Sequence, residues 1–280
     1  MSKKQRDLFK RILLFLAAAC IFIVMLFPIY WMIVCSIQQS SKLYVMPPEW
    51  IPSTPTLENY AALLSDGYFL NYYKNSLIVS AGATLLTMVT TIFCGYAFSR
   101  FRYRINGLLI TAMLTTSMFP VVSQLISIYS TFKQFDLLNT HYGLMLVTTS
   151  VSMPFCVLML KGFFDDVPIV LEEAARIDGC SRLGILFRVS LPLVKPGILA
   201  VGIYTFMRAW DDYQYALTLI TKDELRTLGP GISIRYMGEI QYDWGKTLAV
   251  AVAASLPILI IFIFLQKYMV SGLTSGAVKG

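Results

Sequence analysis

The charged and aromatic side chains that could contact a solute are concentrated in one apolar segment, where Arg208 is followed by Trp210, Asp211, Asp212 and Tyr213. Carboxylates accept hydrogen bonds from hydroxyl groups, and flat aromatic rings pack against the faces of ring-shaped solutes. A charge at the centre of a bilayer costs about 2.5 to 3.5 kcal/mol, so these groups need partners or water. The cluster predicts a polar solute path. The alternative is a helix end that neutralises itself, because the acids follow Arg208 by three and four residues, with the rings as an interfacial belt.

A second polar cluster surrounds Pro120 and contains Ser117, Ser123, Gln124 and Ser127. Proline removes one helical hydrogen bond and kinks a helix, which membrane proteins tolerate where polar groups or a water-lined cavity satisfy the backbone. We therefore expect Gln124 and its neighbouring serines to line the same path. Hydrogen bonding between helices, without solute contact, is the alternative.

Catalytic and metal-binding chemistry has little support in the sequence. The chain has a single histidine, His141, no HExxH pattern, and five cysteines without the spacing of metal ligands. The Gly245-Lys246-Thr247 segment lacks the first glycine of a phosphate-binding loop, because Ile240 occupies that position. We expect no catalytic residue and no metal site, so an integral membrane enzyme is disfavoured.

The elements that must position these residues are membrane spans. The chain has 280 residues, of which 56% are apolar and 14% charged, and its mean hydropathy is +0.65, far above that of a soluble domain. A hydrocarbon core about 30 Å thick needs about 20 apolar residues per helix. Six such segments occur, at residues 12–36, 75–98, 107–131, 142–163, 196–220 and 247–266. The sequence therefore predicts an all-α membrane protein with six transmembrane helices.

The distribution of Lys and Arg predicts the orientation of these spans. Of the 23 basic residues, fifteen lie in the N-terminal segment, the connection after span two, the end of span four with the connection that follows it, and the C-terminal segment. Seven lie in the other connections, and Arg208 lies within a span. Cytoplasmic segments carry the excess of Lys and Arg, so we expect both termini in the cytoplasm. The net charge of +7 then reflects topology, since the basic residues are dispersed over separate loops and no nucleic-acid surface is indicated.

The cytoplasmic connection after the fourth span, residues 164–195, contains a pattern for a short helix at residues 168–178. Asp165 or Asp166 can cap it, Pro168 suits its first turn, and Gly179 can end it in a left-handed conformation. The alternative without a specific function is an interfacial helix lying on lipid headgroups.

Further patterns in the same loop concern its charges and its second half. Glu172 and Arg176 have the i,i+4 spacing of a helical ion pair. A second helix is expected to begin at Ser181, as its N-cap, and to end before Pro192, because proline interrupts a helix.

The spacing within the loop resembles the coupling-loop motif of permeases of ATP-binding-cassette importers. Glu173-Ala174-Ala175 is followed after three residues by Gly179, and after nine more by an apolar residue, any residue and Leu191-Pro192. Other segments resemble the second, six-span permease of carbohydrate importers of the maltose-transporter kind: Pro48 to Ser53 with Thr56 to Tyr60, Asn75 to Leu77, Gly95 to Phe101, Leu138 to Thr140 with Gly143 and Leu144, and residues 270–280.

This resemblance implies a type I importer permease fold with a cytoplasmic coupling helix and one permease domain over residues 1–280. It also implies a bacterial inner-membrane complex of this chain with a second permease as a heterodimer, two ATPase subunits and an extracytoplasmic solute-binding protein, with a sugar or oligosaccharide as cargo. ATP and Mg would be bound by the ATPase subunits, so no cofactor is expected in this chain.

The resemblance also assigns expected roles to residues. Those expected to couple the permease to an ATPase are Glu173, Ala174, Ala175, Asp178, Gly179, Leu191 and Pro192, and the tail Ala277, Val278, Lys279 and Gly280 is similar to tails that contact the ATPases. The expected solute pathway comprises Ser123, Gln124, Ser127, Arg208, Trp210, Asp211, Asp212 and Tyr213. Family members often carry Trp-Asn-Glu-Phe where this chain has Trp-Asp-Asp-Tyr, a departure at both acidic positions.

A long outer loop, residues 37–74, is expected to contain a short helix from Thr56 to Leu64. Loops of this length usually have a function. The resemblance implies contact with the binding protein, and packing over the partner permease is the alternative.

Two alternative functions are considered beside that of a sugar-importer permease. A stand-alone secondary transporter would be expected to show internal repeats and ion-binding groups near the midplane, which the sequence does not display, and it would leave the 164–195 loop without a role. Within the same family, the rival is a permease for a non-carbohydrate solute such as a glycerol phosphodiester, an opine or a peptide. A basic pocket in the partner permease or binding protein would favour an anionic cargo.

Overall fold

A computed structural model describes residues 3–237 and 243–275, and within these ranges the chain is helical and contains no strand. Its helices are α1 Lys3–Ser36, α2 Glu58–Ser65, α3 Gly67–Arg100, α4 Asn106–Ser117, α5 Val121–Gln134, α6 His141–Asp165, α7 Ile169–Ile177, α8 Arg182–Ile185, α9 Leu191–Leu193, α10 Lys195–Trp210, α11 Gln214–Leu219, α12 Leu228–Tyr236 and α13 Trp244–Ser275.

Four helical segments of the described chain are long and apolar enough to cross a membrane: Phe9–Ser36, Gly67–Arg100, His141–Asp165 and Trp244–Phe264. Two bent pairs pass the same test, so the number rises to six if each pair is one span. The most apolar stretch of α1 has no buried residue, whereas 56% of the corresponding stretch of α6 is buried. The first therefore suits a lipid or protein environment, while α6 is packed by its own chain.

The third predicted span is not one kinked helix. It is divided into α4 and α5, which meet at an angle of 102° around Met118 and Pro120. Proline disfavours helical conformation in the residue before it and cannot donate a backbone hydrogen bond. At this position those effects break the helix completely.

The fifth predicted span, residues 196–220, is shorter than expected. Helix α10 ends at Trp210, and a separate short helix, α11, begins at Gln214. At its other end α10 forms a bend of 80° with the Arg182–Leu193 segment of the loop. Residues 211 and 212 therefore lie at a helix end rather than inside a span.

The chain divides into two compact units, of which the first comprises residues 1–69 and 234–256. The side-chain amide of Asn59, on α2, donates to the carbonyls of Ser36 (2.9 Å) and Gln38 (2.8 Å) and so fixes the outer loop to the end of α1. The Thr56 hydroxyl accepts the backbone N–H of Glu58 at 3.1 Å. The predicted short helix is confirmed, beginning at Glu58 and ending at Ser65.

Asp66 organises a charged cluster in the same unit. Its carboxylate accepts a hydrogen bond from the Tyr236 hydroxyl at 2.7 Å and lies 3.7 Å from the amino or guanidinium nitrogens of Lys246 and Arg235. Burial alone would raise the pKa of this carboxyl. The hydrogen bonds from Tyr236 and the Tyr68 backbone, with the two positive charges, outweigh burial and hold the pKa below its usual value.

The second unit comprises residues 70–233 and 257–280, and its core lies between α3, α6, α10 and α11. One apolar cluster includes Leu144 and Leu219, and another includes Leu160 and Val201. A side-chain carbon at Gly95 would lie 3.2 Å from the backbone nitrogen of Lys161. Glycine at this position therefore permits the close approach of α3 to α6.

Asparagine side chains hold the connection at residues 220–226 next to α3 and the start of α6. Asn75 donates to the carbonyls of Glu224 and Arg226, both at 2.9 Å. Asn139 has a positive φ of 54°, and its side-chain oxygen accepts the backbone N–H groups of Thr221 (2.7 Å) and Lys222 (3.0 Å). The sequence segments around Asn75 and Asn139 thus fix the 220–226 connection that follows α11.

Candidate functional site

Helix α7 is mostly exposed. Its one buried residue is Glu172, while Glu173 and Ala174 are exposed and the apolar side chains of Val170 and Ile177 are 66% and 87% exposed. A short helix that presents apolar side chains and a carboxylate to its surroundings has the surface of a docking element. Of the residues predicted for coupling, Glu173, Ala174 and Ala175 lie on this helix, and Asp178 and Gly179 lie in the turn that follows it.

The left-handed conformation predicted for Gly179 is confirmed, with φ of +84°. The N–H of Gly179 bonds the carbonyl of Arg176 at 3.1 Å, and the N–H of Cys180 bonds that of Ala175 at 3.0 Å. These two bonds form a Schellman motif, which satisfies carbonyls at the helix end. The turn after α7 is therefore sharp and depends on a conformation that glycine adopts most easily.

The second half of the loop begins as predicted but ends later. The Ser181 hydroxyl accepts the backbone N–H of Gly184 at 3.1 Å, so the predicted cap is confirmed. The prediction that the helix ends before Pro192 is wrong, since helical structure continues to Leu193. A π-helical turn at Leu186–Ser190 precedes Leu191–Leu193. Such a wide turn allows the helix to continue through Pro192, which has no backbone N–H to donate. Leu191 and Pro192 lie where the loop leads into α10.

Two charge predictions in the loop are corrected. Asp165 does not cap α7 but accepts hydrogen bonds from Ser99 and Lys161, both at 2.6 Å, and the residue at the start of α7 is Pro168, without a side-chain cap. Glu172 pairs with Arg100 at 2.8 Å rather than with Arg176. Arg100 ends α3, and the packing of α3 beside the loop decides the partner.

The break between α4 and α5 is stabilised by Gln124. Its side-chain nitrogen donates to the carbonyl of Phe119 at 2.9 Å, a group left without its helical partner by the break. Its side-chain oxygen accepts a hydrogen bond from the Tyr215 hydroxyl, also at 2.9 Å. Gln124 therefore joins the broken third span to α11.

The charged residues at the end of α10 and just after it do not form the predicted helical pairs. Among the described residues, Arg208 makes no ion pair with Asp211 or Asp212, because α10 ends at Trp210 and the two acids leave the helix. The Asp212 carboxylate instead accepts the backbone N–H of Ala216 at 3.0 Å, in the first turn of α11. Asp212 thus holds α11 in place, and Arg208 and Asp211 are exposed.

Two adjoining clefts bring the two polar clusters together. One, of about 1030 Å³, is lined by Ser123, Gln124, Ser127, Arg208 and Tyr215, among others. The other, of about 790 Å³, is lined by Arg208, Asp211, Asp212, Tyr213 and Tyr215, among others. Seven of the eight side chains predicted for the pathway therefore line one or both of these clefts, and Arg208 lines both.

Trp210 is the eighth, and it does not line either cleft. Its side chain is buried, with ring centroids 5.8 Å from Phe206 and 5.4 Å from Tyr73. The indole packs inside the unit.

Sequence reasoning did not select two aromatic residues that line the clefts, Tyr204 and Phe155. Their ring centroids lie 4.6 Å apart, and Tyr204 borders both clefts. The available signal was spacing, because Tyr204 precedes Arg208 by four residues and shares its helical face. Tyr215 is buried and also lines both clefts.

The tail predicted to contact the ATPases, Ala277 to Gly280, lies outside the described residues. Within the described ranges, no group of three or more histidine, cysteine or acidic side chains could hold a metal ion.

Comparisons with known proteins agree over most of the chain. The family model for the binding-protein-dependent transport system inner membrane component matches residues 87–275. The chain is 37% identical to the sulfoquinovosyl glycerol transport system permease protein of Agrobacterium fabrum over 95% of its length and 93% of that protein. It is 33% identical to the diacetylchitobiose uptake system permease protein of Streptomyces coelicolor, over 99% of this chain and 100% of that one.

A third relative is the trehalose/maltose transport system permease protein of Thermococcus litoralis, 33% identical over 99% of each chain. The fold is similar to that of a chain in the crystal structure of a bacterial ABC transporter involved in the import of the acidic polysaccharide alginate. The TM-score is 0.84 at 20% identity, with 96% of this chain and 98% of that chain covered.

Proposed function

Because the chain belongs to the family of binding-protein-dependent transport system inner membrane components, we propose that it forms part of the solute path of an ATP-driven sugar importer. It is a membrane-embedded permease subunit and not an enzyme. The observation that carries the proposal is that the matched region, residues 87–275, contains both the exposed helix α7 and the polar clefts. The exposed helix is suited to dock on an ATPase subunit, and the polar clefts are suited to contact a solute.

The cargo is a sugar or oligosaccharide. The clefts offer hydroxyl and amide groups from Ser123, Gln124 and Ser127, next to the rings of Tyr204 and Tyr215. Such groups exchange hydrogen bonds with hydroxyls, while aromatic rings pack on sugar faces. Three relatives are named for the transport of sulfoquinovosyl glycerol, diacetylchitobiose and trehalose/maltose, which supports a carbohydrate cargo.

An anionic solute is a second candidate, and Arg208 favours it. The guanidinium borders both clefts, and no ion pair with a described acid neutralises it. A guanidinium binds carboxylate, sulfonate or phosphate groups through paired N–H donors. Asp211, which lines the same cleft, opposes this preference.

The complex comprises this chain, a second permease, two ATPase subunits and an extracytoplasmic binding protein. ATP and Mg are bound by the ATPase subunits. Glu173, Ala174, Ala175, Asp178 and Gly179 form the contact with one ATPase subunit, continued by Leu191 and Pro192, and the tail Ala277 to Gly280 reaches the ATPases. The exposure of α7 supports this assignment.

The chain lies in the inner membrane with both termini in the cytoplasm. The described basic residues at the α7 end of the second unit, among them Arg100, Arg182 and Arg188, support this orientation.

The test is purification of the tagged chain from its own membranes in mild detergent, with the co-purified proteins identified and counted. We expect one second permease and two copies of an ATPase subunit. The same complex in proteoliposomes, with its binding protein, is expected to import sugar only when ATP is present. Recovery of the chain alone, active in uptake without ATP, would reject the proposal in favour of a secondary transporter.

A further inference from the structure

The attachment of α7 to the membrane-spanning helices is unusual because it is made by a charged side chain. Glu172 is the one buried residue of α7, and its side chain is 5% exposed. The apolar side chains of the helix, such as Ile169 and Leu171, remain about half exposed at 54% and 44%. The helix is therefore fixed by the contacts of one carboxylate more than by apolar burial.

The carboxylate of Glu172 has a partner on each side. One oxygen accepts hydrogen bonds from Arg100 Nε at 2.8 Å and from the Ser190 hydroxyl at 2.7 Å. The other accepts a hydrogen bond from the Tyr96 hydroxyl at 3.0 Å. Tyr96 and Arg100 belong to the last turns of α3, and Ser190 belongs to the π-helical turn that leads toward α10.

Arg100 extends this contact to the turn before α7. Its second terminal nitrogen donates to the carbonyl of Val167 at 3.0 Å, and its side chain is only 9% exposed. One guanidinium therefore binds the backbone before α7 and the side chain within it. Charge-assisted hydrogen bonds of this kind are short and directional, so displacement of α7 also displaces the end of α3.

We propose that Glu172 is a positioning residue that, through Arg100, transmits the movement of α7 to the membrane-spanning helix α3. The inference rests on the proposed function, since it assumes that an ATPase moves α7. Glu173 is exposed and meets the ATPase, whereas Glu172, its neighbour in sequence, is buried and holds the permease. Of the two adjacent glutamates, one therefore contacts the ATPase and the other contacts the membrane-spanning helix α3.

The test uses the complete complex in proteoliposomes, purified through a tag on the ATPase subunit so that only assembled complexes are measured. The readout is the number of ATP molecules hydrolysed per solute imported. In Glu172→Gln we expect this ratio to rise about tenfold or more, because ATP-driven movement of α7 no longer reaches α3. Lys161→Gln is the matched control, since Lys161 forms a more exposed ion pair with Asp165 at the same end of the unit, and its ratio is expected to stay at the wild-type value.

The double variant Arg100→Gln with Glu172→Gln separates positioning from stability. A single substitution leaves a buried charge unpaired, which lowers yield, whereas the double variant removes both charges. We expect the double variant to regain yield and thermal stability but to keep the raised ratio. If Glu172→Gln does not assemble, the double variant decides alone. A wild-type ratio in the double variant, or in assembled Glu172→Gln, would overturn the inference. Absence of ATP-dependent import by the wild-type complex would instead reject the proposed function.

Discussion

The conformation of Gly179 gives the sharpest quantitative expectation for the loop. Its φ of +84° lies in the region that L-residues avoid, and a side-chain carbon built there meets no atom within 4 Å. Substitution therefore adds backbone strain without a steric clash inside this chain. For alanine in a left-handed conformation the strain is about 1 to 2 kcal/mol. That corresponds to about a 5- to 30-fold loss in the population of the native turn.

Three substitutions separate strain from size. Gly179→Asn is expected to keep most activity, since asparagine tolerates left-handed conformations, although it is larger than alanine. Gly179→Ala is expected to lower uptake by about 5- to 30-fold, and Gly179→Val further, because β-branched residues are rarer still at positive φ.

The assay is ATP-dependent uptake by the reconstituted complex, with membrane insertion of each variant measured in parallel. Insertion is expected to be equal in all three, because Gly179 lies outside the spans. If Asn and Val were equally inactive while Ala was active, side-chain size at the ATPase contact would be the cause and the strain argument would be refuted.

Four further predictions address other sites. Glu173→Lys is expected to abolish uptake and the recovery of ATPase subunits while insertion stays normal; wild-type uptake would reject the docking role of α7. Tyr215→Phe removes its hydrogen bond to Gln124, and Gln124→Ala removes that bond together with the one to the Phe119 carbonyl, each worth about 0.5 to 1.5 kcal/mol. Both variants are expected to alter uptake without loss of assembly, with an effect in the double variant smaller than the sum. Arg208→Gln is expected to reduce uptake of acidic sugars more than of neutral ones; an equal effect on both would exclude recognition of a negative charge. The pKa of Asp66 is lowered, so its ionised form contributes stability that is fully present above the ordinary carboxyl pKa and is lost as pH falls through the lowered value. Asp66→Asn should therefore flatten the acid limb of a plot of thermal stability against pH. An unchanged plot would contradict this.

Local signals predicted the loop well where the cause was local. Gly179 ends α7 in a left-handed turn because the helix stops there and glycine lacks a side chain, and Ser181 caps the next helix three residues before the N–H that it accepts. Hydropathy located the apolar segments for the same reason, since transfer into a bilayer depends on composition over about 20 residues. Seven of the eight residues predicted for the pathway line the two clefts, but the sequence did not indicate the contacts between them.

Errors arose where a partner distant in sequence decided the outcome. Glu172 was paired with Arg176 by helical spacing, although Arg100, 72 positions earlier, takes its place in a buried site. Asp212 was treated as a charge within a span, and in the structure it caps α11 after α10 has ended. In both cases the sequence showed a favourable local pairing and could not show the competing one.

The sequence by itself determined that the chain is helical and membrane-embedded, that its basic residues favour one orientation, and that one loop carries a docking motif. Those properties follow from composition and short-range spacing, which act before the chain folds on itself. Only the tertiary structure decided that the third span breaks at Pro120, that Gln124 and Tyr215 meet across that break, and that Glu172 faces α3 while Glu173 faces outward. These outcomes depend on which helices pack together, because a buried carboxylate or a freed backbone carbonyl takes whichever partner packing brings within hydrogen-bonding distance.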